Sequence, residues 1–154
     1  MSADRRTSSL QEAALASEPR ESLVRPIAIG AAVGILQAAA PFAFWWLPAA
    51  TVYAISIAFI ATVYIGFAVA DGRRKVVIIE TIVALLFILI AALGVTGSPW
   101  LLVVGLFAHG AKDLWQHRTQ FVRGTRWWPP FCAAVDWVAA GILAVAILSG
   151  WAAL

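Results

Sequence analysis

From residue 26 to residue 151 the chain reads as five apolar runs separated by short polar breaks, and the length of those runs constrains the fold more than any other feature. A helix rises ~1.5 Å per residue and a bilayer's hydrocarbon core is ~30 Å thick, so roughly 20 apolar residues cross it. The runs cover residues 26–47, 49–70, 76–95, 99–116 and 131–151. They are continuously apolar, without the strict alternation of a membrane strand, so they predict helices whose backbone groups are satisfied within each span. Composition excludes a soluble domain: 62% of the residues are hydrophobic and 12% charged, whereas a water-covered surface needs about 25% charged residues. The fold class expected is all-α, a polytopic transmembrane bundle of five spans.

Residues 1–25 differ in kind. They hold Arg5, Arg6, Arg20 and Arg25 against Asp4, Glu12, Glu18 and Glu21, with few large apolar side chains, and predict a disordered cytoplasmic tail ahead of a bundle over 26–154. The run ending in Ala38-Ala39-Ala40 also resembles a signal peptide. The long polar segment before it and the apolar stretch continuing through Trp46 argue for a retained first span. Pro41 and Pro48 bracket residues 42–47, where that span is expected to end early and turn.

The basic residues orient the bundle. Four lie in the tail, three in the turn at Arg73, Arg74 and Lys75, and four at Lys112, Arg118, Arg123 and Arg126, which accounts for all eleven. With five spans every one falls on the same side, identified as cytoplasmic by the positive-inside rule. The N-terminus is then inside, the C-terminus outside, and the location a multi-pass cell (cytoplasmic) membrane protein. Tryptophan favours headgroup level at either face, and the eight indoles divide evenly: Trp45, Trp46, Trp100 and Trp151 outside, Trp115, Trp127, Trp128 and Trp137 inside. The charge of +3 is thus explained by topology and implies no nucleic acid. A single cysteine, Cys132, excludes an internal disulfide and a Cys-rich metal site.

The informative residues are those a bilayer should exclude. Glu80, His109, Asp113 and Asp136 lie within apolar spans, where a charged side chain at the centre costs about 2.5–3.5 kcal/mol. Counting helical rise from the adjacent turns puts all four roughly 6–12 Å inside the cytoplasmic face, with Tyr64 of the second span at that level. Groups from several helices at one depth predict a shared buried site. His109, Asp113 and His117 are spaced i, i+4, i+8 on one helix stripe, and Cys132 and Asp136 form a similar pair. A carboxylate one turn from an imidazole orients it and raises its basicity, which suits proton transfer or metal ligation.

His109-Gly110-x-x-Asp113-x-x-x-His117, followed by Pro130-x-Cys132-x-x-x-Asp136, resembles a family of small polytopic bacterial integral membrane proteins of uncharacterised function. The resemblance covers about the last third of the chain and implies the membrane fold without implying an activity. Gln116 stands where that family often has a further histidine; if that histidine is a ligand in relatives, a metal role here is weakened.

The leading functional expectation is a membrane-embedded enzyme acting on a lipid or isoprenoid-like substrate. His109 and Asp113 would be its acid–base pair, with Glu80 and Asp136 as partner carboxylates. Tyr64, Gln37, Arg126 and Trp127 would contact substrate, the last two through anionic lipid headgroups. A divalent metal held by His109, His117 and Asp113 is a variant. The rival class is a proton-coupled transporter, which at five spans requires a homo-oligomer, or a membrane accessory subunit. A third reading makes the cluster an interhelical lock in which Glu80 and Asp136 pair with Lys112 or His109.

Overall fold

A computed structural model describes residues 23–150 of the chain. The expected tail, apart from its last residues, and Trp151 lie outside these described residues. Six helices and no strand occur among them: α1 (Val24–Ala38), α2 (Ala40–Ala43), α3 (Ala49–Asp71), α4 (Arg74–Thr96), α5 (Trp100–Thr119) and α6 (Trp128–Leu148).

By length and composition α3, α4 and α6 can each cross a membrane, while α1 is apolar but shorter. The run 26–47 is therefore not one continuous helix. α1 stops after 15 residues and a four-residue helix follows. Pro41 has no N–H to offer Gln37, and its ring would crowd that carbonyl. Helix α5 has 20 residues, but its second half carries His109, Lys112, Asp113, Gln116, His117 and Arg118, which makes it the polar member of the set.

Short connections set the neighbours. Gly72 ends α3 at φ 79°, donating its N–H to the carbonyls of Ala68 and Val69, a left-handed cap that glycine adopts without penalty. Arg73 alone then separates it from α4, so the pair forms an antiparallel hairpin. Residues 97–99 return the chain into α5, where a side chain at Gly94 would collide with Leu102. Helix α6 packs between α5 and α1, and α5 also contacts α4 and α3.

Helices α1 and α6 run parallel. Gly30 faces Phe131 and Ala134, and one turn further Gly34 faces Val135 and Val138. Pro26, Gly30, Gly34 and Ala38 are the buried residues of α1, a small-residue stripe that lets two backbones approach closely where no hydrophobic effect operates in lipid. At one end of the bundle the Tyr53 hydroxyl donates to the Ala38 carbonyl at 2.7 Å, tying the start of α3 to the end of α1. The other end holds the Asp71–Arg73 turn and the 120–127 loop. All the lysines and arginines of the described residues lie toward that second end: Arg25, Arg73, Arg74, Lys75, Lys112, Arg118, Arg123 and Arg126.

The main core, with Ile57, Ala61, Ala84, Leu102, Leu106, Ala139 and Leu143, fills the space among α3, α4, α5 and α6. A smaller cluster of Tyr64, Ala68, Val76 and Val122 closes it toward the loop. Between these two apolar layers lies the polar centre.

Candidate functional site

Four helices each contribute to this centre: Tyr64 from α3, Glu80 from α4, His109, Lys112 and Asp113 from α5, and Cys132 and Asp136 from α6. Glu80, His109, Asp113 and Asp136 are all at most 2% exposed. The i, i+4 spacing of His109 and Asp113 puts both on the α5 face turned to α6 and the core. There His109 Nδ1 donates to Asp136 Oδ2 at 2.8 Å and lies 3.4 Å from Asp113 Oδ2. The ring is held edge-on to Phe87, with centroids 4.9 Å apart, and lies 6.0 Å from the Tyr64 ring. Its orientation is thus set by contacts from three other helices.

Lys112 is the residue that completes the arrangement. Its Nζ donates to Glu80 Oε2 at 2.6 Å and sits 3.3 Å from the centroid of the Tyr64 ring. An ammonium this enclosed loses most of its hydration, and a carboxylate with an aromatic face replaces it. The expected pairing of Glu80 with Lys112 and of Asp136 with His109 is therefore what the packing forms.

Asp113 is left over. Its side chain is fully buried and neither carboxylate oxygen has a hydrogen-bond partner, nor has Oδ1 of Asp136. The Tyr64 hydroxyl borders Asp113 without reaching hydrogen-bond geometry. Three carboxyl groups share the centre with one lysine and one imidazole, so acidic groups outnumber basic ones. One ligand atom from each of His109, Asp113 and Asp136 can be chosen so that all lie within 4.8 Å of one another.

The structure brings together six of the residues singled out from sequence or close beside them: Tyr64, Glu80, His109, Lys112, Asp113 and Asp136. His117 is not in the group. It lies two turns beyond His109, half-buried, with Nδ1 unpartnered. Gln37 sits on α1 beyond Gly34, its Nε2 buried and without a hydrogen bond. Arg126 is exposed at the loop, and Trp127 stacks on Phe131 at 5.0 Å, both away from the cluster.

The loop over the centre is held more firmly than its sequence indicated. Gln116 Nε2 donates to the Val122 carbonyl at 2.9 Å and approaches the Thr125 hydroxyl at 3.3 Å, drawing Val122 fully into the interior. From the α3–α4 turn, Arg73 bonds both oxygens of Asp71 and donates to the Phe121 carbonyl at 2.6 Å, while the Arg123 N–H donates to Asp71 at 2.8 Å. Asp71 thus pairs locally with Arg73 and also anchors a segment 52 residues away. The glutamine could have been noticed as a polar residue one turn from Lys112 and Asp113, but its partners are loop backbone, which no pattern marks.

In comparisons with protein-family models, curated proteins and solved structures, nothing matches the chain. The functional reading therefore rests on the site's own geometry.

Proposed function

We propose that this is a multi-pass protein of the cytoplasmic membrane whose buried His109–Asp113–Asp136 centre binds a small cation, a proton or a metal ion, and that it works as a cation-coupled transporter or accessory subunit in oligomeric form. The carrying observation is Asp113, a fully buried carboxylate whose oxygens have no hydrogen bond, in a cluster where carboxylates outnumber cations. A buried carboxylate with no hydrogen bond, opposed by an imidazole at 3.4 Å that Asp136 also shares, is costly in a low-dielectric interior, and a bound cation lowers the cost.

The topology belongs to the same proposal. The five spans run N-terminus in and C-terminus out, with the short α1 and the polar α5 completing the three helices of full length. Parallel packing of α1 and α6 supports an even number of crossings between their starts, and the gathering of basic residues at one end supports the cytoplasmic assignment. The centre then lies within the cytoplasmic leaflet.

The test is cation flux into proteoliposomes under an imposed gradient, comparing wild type with Asp113→Asn at matched folding. Flux lost in the variant supports the reading, and equal flux, or none in either, overturns it. The second reading, a lipid-directed acid–base enzyme, is favoured by the His109–Asp136 hydrogen bond, which holds an imidazole in one tautomer as general acid–base work requires. Turnover of a lipid that disappears in His109→Ala while flux is absent would select it.

A further inference from the structure

We propose that the cation is a divalent first-row transition ion of the Zn2+, Fe2+ or Mn2+ class, ligated by His109, Asp113 and Asp136; this rests on the cation-centre reading above and names its ligand. The separations fit. A four-coordinate ion with bonds of ~2.0–2.1 Å has ligand atoms about 3.3 Å apart. His109 Nδ1 stands 2.8 Å from Asp136 Oδ2 and 3.4 Å from Asp113 Oδ2, so an ion bound there replaces the proton that Nδ1 shares with Asp136, and binding releases that proton.

Donor type and charge both narrow the class. One imidazole with two carboxylates suits borderline divalent ions better than Ca2+ or Mg2+, which favour all-oxygen shells. Glu80 and Lys112 neutralise each other at 2.6 Å. Asp113, Asp136 and a neutral His109 together carry two negative charges, which one divalent ion balances.

Independent of the charge count, the centre holds buried polar atoms that no protein group satisfies. Asp113 Oδ1 and Oδ2, Asp136 Oδ1 and the Tyr64 hydroxyl are all buried without hydrogen bonds. The carboxylate oxygens are the free donors. Tyr64 is placed to hydrogen-bond a ligating Asp113 and fix its angle, the outer-shell support that metal carboxylates usually have. His117, which sequence spacing had offered as a ligand, is not part of this set.

The experiment is equilibrium dialysis of detergent-purified full-length protein against Zn2+, with Co2+ absorption as the spectroscopic reporter and Mg2+ as the contrasting ion. Wild type and His117→Ala are expected to bind about one Zn2+ per chain, and Asp113→Asn at least roughly tenfold more weakly. Asp113→Asn removes no hydrogen bond and so is the variant expected to keep the fold; Asp136→Asn is the second. Folded wild type that takes up no Zn2+, that prefers Mg2+, or that loses binding in His117→Ala as fully as in Asp113→Asn overturns the assignment. If Zn2+ is not bound but proton flux in proteoliposomes is still lost in Asp113→Asn, the metal assignment fails while the cation-centre reading stands.

Discussion

Lys112 and Glu80, 32 residues apart, meet inside the bundle with Nζ 2.6 Å from Oε2. The contact joins α5 to α4 at the depth of the His109 ring, and the Tyr64 face closes it from α3. It is a buried pair, so removing one partner strands the other. Glu80→Ala or Lys112→Ala should each destabilise by about 3–5 kcal/mol, while the double variant Glu80→Leu/Lys112→Met recovers most of the loss. Thermal unfolding in detergent of the two singles and the double measures this; additive losses would mean that the pair is not coupled.

At the α1–α6 contact, a methyl group on Gly34 would lie 2.7 Å from the Val135 carbonyl oxygen and 2.9 Å from the Val138 Cβ. Gly34→Ala, like Gly30→Ala, should therefore lower stability by about 1–3 kcal/mol through overpacking. Gly66 of α3 has nothing within 4 Å of such a methyl. Gly66→Ala should be neutral or stabilising by up to about 1 kcal/mol, because alanine is the better helix former. Equal effects at all three positions would contradict the close approach.

Orientation can be read by labelling. In a Cys132→Ala background, single cysteines replacing Leu23, Arg74 and Arg126 should react with a membrane-impermeant thiol reagent only from the cytoplasmic side. One replacing Ser98 should react only from outside. All four positions are exposed in the fold. Labelling of Leu23 and Arg126 from opposite sides would refute the parallel arrangement of α1 and α6.

The Asp71 anchor makes a separate prediction for the loop. Asp71→Ala removes the acceptor of the Arg123 N–H and the partner of Arg73, which itself holds the Phe121 carbonyl. Trypsin should then cut at Arg123 and Arg126 faster than in wild type, with amide exchange over 120–127 accelerated in step. Gln116→Ala should act in the same direction from inside, since it removes one of the two donors to the buried Val122 carbonyl and leaves the Thr125 hydroxyl as the other. Unchanged cleavage in both variants would show that the loop is held by apolar contacts alone.

How much of this was legible in the chain follows from what each signal measures. Run length and composition respond to the solvent, so α3 and α4 could be read to within two residues from 49–70 and 76–95, and α6 to within three from 131–151. Helical rise turned turns into depths, so Tyr64, Glu80, His109, Asp113 and Asp136 could be placed at one level before any helix was packed. Proline chemistry foretold the early end of α1, though not that the helix would stop as soon as Ala38.

Rotation about each helix axis was the missing quantity, because apolar residues surround α3, α4 and α6 and no amphipathic stripe marks their inner faces. Only the tertiary structure decided that Lys112 turns toward Glu80 and Tyr64, that Asp136 rather than His117 joins His109 and Asp113, and that Asp113 is left without a hydrogen bond. Those outcomes depend on close packing through Gly30, Gly34 and Gly94 and on loop carbonyls captured by Arg73 and Gln116. The sequence by itself determined which runs are long and apolar enough to cross a membrane, since length and composition are properties of each run alone. Which of them touch was decided by the joint packing of several helices, a property no single span carries.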